Sequence, residues 1–411
     1  MKRVLLINDA VYLPGEGGYK RTMYLFNMML ELGYDVTLLT GDFNHYAKKN
    51  RNVEKFRKDY PEYNDNLVIL HKIPYKKNIS LLRYFSDRNF AYKEAKWVKN
   101  NKDKFDIVLL DMPDIDAIIK TDKVLKNTNK AIVVDVRDLH PEALKVVFKN
   151  PLVYNVLTFP MKMRANKAYA CADEFVAVSK EYLDRGLACN KKSKNPQVVY
   201  LGSALELFDE GIEIYRDAII KEQNEFWITY VGTIGASYDF RTIITAMSKL
   251  KSKYPHLKFK ILGQGPEEKE LQSFAKKIGA SNVDFLGFMD YSKMAAFLSK
   301  TDITINNIKR NASQSIINKV ADYFASGKPM LNSCKNEEMK WLISNFNVGL
   351  NYEAENVDDF IEKFEILYND NDLRIEMGMN ARALANDRFD RKNSYKKIID
   401  ILDNTEKRVR K

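Results

Sequence analysis

The sequence predicts an α/β protein built from two doubly wound domains in tandem. Short apolar runs alternate with helix-length periodic segments nearly throughout, the pattern of parallel strands covered by helices on both faces. That alternation breaks once, over Gly202–Glu225, where Glu206, Asp209, Glu210 and Glu213 fall in a stretch with no clear strand. At 411 residues the chain also exceeds one compact core, so two domains of roughly 200 residues are expected. These observations divide the chain into a first domain at 1–201, a linker at 202–225, a second domain at 226–387 and a terminal segment at 388–411.

The first domain opens with Val4–Ile7, a buried-type strand too short for a signal-peptide core or a membrane span. Pro14-Gly15-Glu16-Gly17-Gly18-Tyr19-Lys20-Arg21 follows, then a helix with Leu25, Phe26, Met29 and Leu30 on its apolar face and Gly33 as its stop. Adjacent glycines at a strand-to-helix turn let backbone N–H groups approach a phosphate at the positive helix end, although a plain tight turn reads the same way. Lys20 stands where a dinucleotide fingerprint needs its third glycine, and no Walker Gly-Lys-Ser/Thr follows. Further strands are expected at Val36–Leu39, Leu67–Leu70, Ile107–Leu110, Ala131–Val136, Phe175–Val178 and Val198–Leu201. The loop after Ala131–Val136 is dense in ionisable groups, namely Arg137, Asp138, His140 and Glu142. Three roles are open to His140: general base, phosphate partner or capped loop residue.

In the second domain strands are expected at Ile228–Gly232, Phe259–Gly263, Val283–Gly287, Ile303–Asn306, Pro329–Asn332 and Val348–Asn351. The first three close on glycine, in Gly232-Thr233-Ile234-Gly235, Gly263-Gln264-Gly265-Pro266-Glu267 and Gly287-Phe288. Such loops are expected to leave backbone amides and carbonyls open as a floor for a base and ribose. Lys309-Arg310-Asn311-Ala312-Ser313-Gln314-Ser315 then leads into a short helix bearing Lys319 and Asp322, stopped at Gly327-Lys328-Pro329. A helix start preceded by cations is a second candidate anion site. Without that context, Lys319 and Asp322 read as an i, i+3 ion pair. Helices over Asn371–Asp387 and Arg391–Lys411 end the chain.

Sixty-six basic and fifty-five acidic residues leave a charge of +11, suited to an anionic surface or a polyphosphate ligand. No nucleic-acid-binding signature accompanies it. Cys171, Cys189 and Cys334 match neither a zinc site nor a disulfide framework, which suits a reducing cytoplasm, and four histidines argue against a metal cluster. Residues 145–167 interleave Val146, Val147, Phe148, Leu152, Val153, Val156, Leu157, Phe159, Met161 and Met163 with Lys145, Lys149, Lys162, Arg164 and Lys167. Residues 76–85 have the same basic amphipathic character, so both segments are candidate contacts with an anionic membrane surface.

Several phrases recur in the order found in one known family: Gly17-Gly18, Ala172-Asp173-Glu174-Phe175-Val176-Ala177-Val178-Ser179, Tyr230-Val231-Gly232, Ile261-Leu262-Gly263-Gln264-Gly265-Pro266, Val283-Asp284-Phe285-Leu286-Gly287 and the stretch 318–329. Through them the chain resembles the family-four retaining glycosyltransferases of the GT-B fold, closest to bacterial capsule and O-antigen amino-sugar transferases. The resemblance implies two Rossmann-like domains facing across a cleft, with the terminal helix returning to the first. It also implies a metal-independent hexosyltransferase that takes no cofactor and uses a nucleotide-diphosphate sugar, UDP-linked, with an undecaprenyl-diphosphate-linked glycan as acceptor. The expected location is the inner face of the cell membrane.

By the same resemblance Gly17 and Gly18 face the diphosphate, Asp322 meets the ribose and Gln314 the transferred sugar. Gln314 and Asp322 stand where the family's E-x7-E motif has glutamates. Thr233 and Tyr238 replace a common Arg and Lys, so the phosphate cation must come from Lys319, Lys309, Arg310 or Arg241, with Lys319 favoured. Thr233, Gly263, Gly265 and Ser315 complete the expected donor site. Arg137-Asp138-Leu139-His140-Pro141-Glu142 resembles an Arg-Asp-Leu-Trp-Pro-Glu loop of amino-sugar transferases, which places Arg137, Asp138, His140 and Glu142 on the acceptor side. Catalytic roles then fall to Asp138, His140, Gln314 and Lys319. Two other functions fit less of the sequence: a nucleotide-sugar epimerase of the same fold, and a non-catalytic sugar- or lipid-binding scaffold.

Overall fold

The computed structural model describes residues 2–16, 21–78, 80–146, 150–312 and 316–407. The chain forms two compact units, one of Met1–Val199 with Tyr395–Lys411 and one of Tyr200–Ser394.

In the first unit the strands are β1 (Val4–Ile7), β2 (Val36–Gly41), β3 (Phe43–Asn44), β4 (Lys49–Asn50), β5 (Leu67–Leu70), β6 (Ile107–Met112), β7 (Ala131–Val136), β8 (Glu174–Ala177) and β9 (Gln197–Val198). The helices are α1 (Arg21–Glu31), α2 (Val53–Asp59), α3 (Leu81–Asn100), α4 (Ile115–Leu125), α5 (Pro151–Cys171) and α6 (Lys180–Leu187). Seven strands form one parallel sheet in the order β5-β2-β1-β6-β7-β8-β9, and β3 and β4 pair separately as an antiparallel hairpin. Residues of β1, β6, β7 and β8 are buried along their whole length, as strands packed on both faces must be. Gly33, at φ +78°, ends α1 in the left-handed conformation while Tyr34 N–H donates to Met29 O at 2.9 Å.

The second unit begins with α7 (Leu205–Tyr215). It continues with β10 (Phe226–Val231), α8 (Phe240–Leu250), β11 (Leu257–Leu262), α9 (Glu268–Lys277), β12 (Val283–Gly287), α10 (Tyr291–Ser299) and β13 (Ile303–Asn306). Then come α11 (Lys319–Ala325), β14 (Met330–Asn332), α12 (Glu337–Asn345), β15 (Gly349–Asn351), α13 (Val357–Asn369), α14 (Asn371–Leu384) and α15 (Arg391–Ser394). The six strands are parallel, in the order β12-β11-β10-β13-β14-β15. In both sheets the strand order reverses once, between β1 and β6 and between β10 and β13, and the carboxyl ends there are where doubly wound folds bind ligands.

The expected linker at 202–225 is corrected: α7 lies in it and packs against α10 within the second unit. Leu205, Phe208 and Gly211 form its buried face, and a Cβ on Gly211 would stand 2.7 Å from the Ser292 Cα. The strand expected at Val198–Leu201 is the shorter β9. The last helix, α16 (Lys396–Asn404), belongs to the first unit. There Tyr395, Ile398, Ile399, Ile401 and Leu402 share one core with Val4, Leu6, Phe26 and Met29.

Candidate active site

In the second unit the site is organised around α11. Tyr323 Oη accepts from the Val231 amide at 2.8 Å and so docks the helix under the end of β10. That contact places Lys319, the first residue of α11, against Gly232, where a Cβ would lie 2.5 Å from Lys319 Nζ. Nζ donates to Tyr230 Oη at 2.7 Å and sits 4.0 and 4.1 Å from the ring centroids of Tyr230 and Tyr238. Burial holds this amine well below the usual lysine range. Tyr238 is brought in by a bridge between its segment and Ile308, by Asp239 N–H to Asn307 O at 2.8 Å, and by Lys309 N–H to Ser237 O at 3.0 Å. No carboxylate within 4.0 Å neutralises Lys319 among the described residues, so the i, i+3 ion pair with Asp322 does not form.

Asp322 turns to the other side of the helix. Its Oδ1 accepts from Ser203 Oγ at 2.8 Å and from Tyr291 Oη at 2.9 Å, while burial raises the carboxyl above its ordinary range. Both hydroxyls meet one oxygen, so Oδ2 is the atom they leave for another donor.

The glycine loops are used differently from the sequence expectation. Gly232 N–H donates to Leu262 O at 2.8 Å, Ile234 N–H to Gln264 O at 3.0 Å, Gly263 N–H to Gly287 O at 2.7 Å and Glu267 N–H to Ile234 O at 3.3 Å. These amides bind neighbouring loops rather than standing open. The glycines are required because the loops lie back to back: a Cβ on Gly263 would meet Gly232 O at 1.8 Å, and one on Gly265 would meet Ile234 O at 2.1 Å. Thr233 is exposed at the tip, with its carbonyl accepting from Tyr230 Oη at 2.7 Å.

Two of the proposed phosphate cations are engaged elsewhere. Arg310 pairs with Glu353 at 3.0 Å and donates to Ala354 O at 3.0 Å, and Arg241 pairs with Glu270. Lys309 is half-buried beside the Tyr238 segment. Gly17, Gly18, Gln314 and Ser315 lie outside the described residues.

In the first unit, the carboxyl ends of β1, β6 and β7 hold a buried polar network. Arg21 is fully buried and grips Asp135 with Nε at 2.8 Å and Nη2 at 3.1 Å, while Nη1 donates to Val199 O at 3.0 Å. Arg137 completes the network with Asp135 at 2.8 Å, Asp111 at 2.8 Å and Thr22 at 2.8 Å. Arg137 is therefore anchored through Nε and Nη1, while its Nη2 has no hydrogen-bond partner among the described residues. Burial, opposed by Arg137, raises Asp111 to about 7, whereas Arg21 and Arg137 hold Asp135 low. Glu142 is likewise committed, accepting from Arg185 Nε at 2.6 Å. Asp138 bonds only its neighbour's amide, Leu139 N–H, at 2.9 Å, and His140 has no hydrogen-bond partner among the described residues. Burial raises Asp138 and lowers His140, which keeps the imidazole neutral. Glu142 Oε2, like Arg137 Nη2, also lacks a hydrogen-bond partner among the described residues, and Asp138 and His140 are the ionisable residues of that loop outside its ion pairs.

Residues missed in the sequence include Tyr230, Tyr291, Ser203, Arg21 and Asp111, whose partners are distant along the chain. No group of three or more His, Cys, Asp and Glu side chains fit to hold a metal occurs among the described residues.

Comparison with known proteins places this geometry. Residues 211–384 match the family model described as glycosyl transferases group 1. An uncharacterized glycosyltransferase of Methanocaldococcus jannaschii is 24% identical over 97% of this chain and 99% of its own. The lipopolysaccharide core biosynthesis glycosyltransferase LpsE of Rhizobium meliloti is 26% identical over 37% of this chain and 42% of its own. The crystal structure of Anabaena HepE in complex with UDP superposes with a TM-score of 0.68 at 14% identity, covering 98% of this chain and 99% of that one.

Proposed function

We propose that the chain, which matches the group 1 glycosyl transferase model over residues 211–384, is a glycosyltransferase that moves an N-acetylated amino sugar from a UDP-sugar to an undecaprenyl-diphosphate-linked glycan, with retention and without a metal. The observation that carries the donor half of this reading is α11, which sets a desolvated lysine at the end of β10 and a buried acid one turn further on. Lys319 meets the diphosphate, where transition-state charge grows as the leaving group departs. Asp322 receives ribose hydroxyls through Oδ2. HepE, seen with UDP, supports the choice of nucleotide, and LpsE supports a glycan of the cell envelope.

In the transfer the acceptor oxygen bonds to the anomeric carbon on the face that the diphosphate leaves. The anomeric C–O bond breaks with its electrons going to UDP, and the acceptor proton passes to the departing phosphate oxygen or to Asp138 or His140. Asp138 and His140 fit the acceptor side because neither is tied into the ion-pair network around them.

Membrane attachment is part of the proposal. On α5 Leu152, Val156, Leu157, Phe159 and Met163 are 76, 74, 55, 60 and 59% exposed, beside Lys162, Arg164 and Lys167. Apolar burial and charge attraction together would give reversible attachment to anionic lipid. Residues 147–149 of that stretch and Ile79 of 76–85 lie outside the described set. No helix among the described residues is long and apolar enough to cross a membrane.

A thermal-shift panel of UDP, GDP, ADP and their sugars tests the donor reading, since a ligand of the folded state raises the melting temperature. UDP compounds should give the largest shift. Asp322→Ala should weaken nucleotide binding, whereas Gln314→Ala should spare it and slow transfer. Equal nucleotide affinity in the two variants would refute that division of roles.

A further inference from the structure

The β3–β4 hairpin builds a second charged surface in the first unit, with Arg83 and Asp87 within electrostatic reach of His140. Tyr75 is 3% exposed, packed on Phe43 with ring centroids 4.6 Å apart, and its hydroxyl lies 2.6 Å from His45 Nδ1. Three cations converge on its ring: Lys48 Nζ at 5.1 Å, the Arg83 guanidinium at 5.6 Å and buried Lys72 Nζ at 5.7 Å from the centroid. Lys48 and Arg83 also bond Asn78, Lys48 through Oδ1 and Arg83 through the backbone carbonyl at 2.8 Å. Asp87 is shared between Arg83 at 3.3 Å and buried Lys72 at 2.7 Å, and Lys72 also pairs with Asp9. Lys48, Lys76 and Lys77 have no carboxylate partner among the described residues, so positive charge is in excess. His45 adds none of it: burial, with Lys48 and Arg83 nearby, lowers it to about 4.

The backbone is strained to hold this arrangement. Lys48 is a non-glycine residue at φ +55°, fixed by its N–H to Asn44 O at 2.9 Å, while Asn44 Oδ1 accepts from the amides of Tyr46 and Ala47. Such conformations persist where the surroundings over-determine them, and they cluster at ligand sites. Immediately beyond Asn78, α3 starts with Leu81, Leu82, Tyr84 and Phe85 exposed by 77, 52, 48 and 62%. A cationic surface therefore continues into an apolar one, the pattern that suits an amphiphilic ligand with a phosphate at its polar end.

We propose that Lys48 and Arg83, set over the buried Tyr75 ring, bind the phosphate ester headgroup of a long-chain lipid, with the chain lying along Leu81–Phe85. The site rests on the lipid-linked acceptor proposed above and assigns residues to its carrier end. The exposed Tyr46 ring, stacked on Tyr12 at 4.2 Å, offers a flat face for the first sugar beyond that phosphate.

The test is a titration of farnesyl diphosphate, presented in neutral detergent, into the full chain and into Lys48→Gln, Arg83→Gln and the double variant. Binding should weaken at least tenfold in each single variant and be undetectable in the double, while the melting-temperature shift with UDP is unchanged and certifies the fold. Lys48→Gln alone keeps the test decisive if Arg83→Gln unfolds, because Lys48 is in no ion pair among the described residues, whereas Arg83 pairs with Asp87. Unchanged farnesyl diphosphate affinity in Lys48→Gln overturns the proposal. So does inorganic pyrophosphate binding as tightly as farnesyl diphosphate, which would mark a free-phosphate site. Phosphatidylglycerol vesicles binding with the same dependence on Lys48 and Arg83 would mark a general membrane contact and also overturn it. Loss of the UDP shift in the wild type would count against the donor reading and leave this titration to decide the lipid site independently.

Discussion

Lys319→Met separates two consequences of one buried amine. The substitution keeps an unbranched apolar stem between Tyr230 and Tyr238 and removes the hydrogen bond to Tyr230 Oη at 2.7 Å together with the charge. If Lys319 meets the diphosphate, the variant loses a charge-assisted bond of about 1.5–3 kcal/mol, a roughly 10- to 150-fold weaker Kd for UDP. With UDP at about 100 times the wild-type Kd, ligand stabilisation falls from about 2.7 kcal/mol to about 0.4 kcal/mol for a hundredfold loss. In a domain of this size that is a melting shift dropping from roughly 5–11 °C to about 1 °C.

The unliganded protein should respond in the opposite sense. The folded-state amine titrates below its unfolded value, so the unfolded chain holds more protons in between and wild-type stability rises with pH towards 10.5. The variant lacks that rise. Lost cation–π contacts of about 0.5–2 kcal/mol work against lost desolvation, so at neutral pH it should not be destabilised by more than about 1 kcal/mol. A differential scanning fluorimetry series over pH, with and without UDP, reads both effects. An undiminished UDP shift in a folded Lys319→Met protein would refute the assignment of the phosphate cation.

Three further outcomes follow from the packing. Gly263→Ala places a Cβ 1.8 Å from Gly232 O at φ +146°, so chemical denaturation should show a loss of about 3 kcal/mol or more, whereas Gly235→Ala, with 3.8 Å of clearance, should stay within about 0.5 kcal/mol. Glu94 is 1% exposed with Oε1 unpartnered, and burial raises it from 4.5 to about 8. The folded state keeps that proton while the unfolded state loses it, so stability falls as pH rises from about 4.5 to about 8; Glu94→Gln should gain roughly 3 kcal/mol on the wild type between pH 4 and pH 7 in urea titrations. Paired Leu152→Ser and Val156→Ser changes should leave UDP binding intact and reduce flotation with phosphatidylglycerol vesicles several-fold; no flotation by the wild type would remove the membrane proposal.

Val4–Ile7, Ala131–Val136 and Ile303–Asn306 were legible because strands buried on both faces are written as largely apolar runs, and the edge strands Leu67–Leu70 and Val283–Gly287 also have the expected bounds. What escaped lacks such a local signal. Two-residue strands such as β3 and β4 show no periodicity, so the hairpin carrying Lys48 was invisible. In α7 the buried Leu205, Phe208 and Gly211 do follow helical spacing, but Glu206, Asp209 and Glu210 between them read as a solvated linker. Arg21 and Asp135 lie on separate elements, and nothing near either announces that the arginine is fully buried against the acid. The same holds for Asp322: its place on α11 was readable, its hydroxyl partners Ser203 and Tyr291 were not.

Tyr238, which stands in place of an expected basic residue, helps to hold the lysine favoured to replace it. Thr233 and Tyr238 stand where the resemblance puts a basic pair, so the sequence alone assigns the phosphate charge elsewhere, with Lys319 favoured. In three dimensions the Tyr238 ring is one wall of the box that holds Lys319 Nζ, and the other wall, Tyr230, lies on the strand leading into Gly232. Lys319 is the first residue of α11, whose docking depends on the Val231 amide donating to Tyr323 Oη. An amine so placed has aromatic faces and a hydroxyl for company, and no acid to hold its proton. An arriving diphosphate would supply that missing charge, so substrate and protonation of Lys319 would stabilise one another.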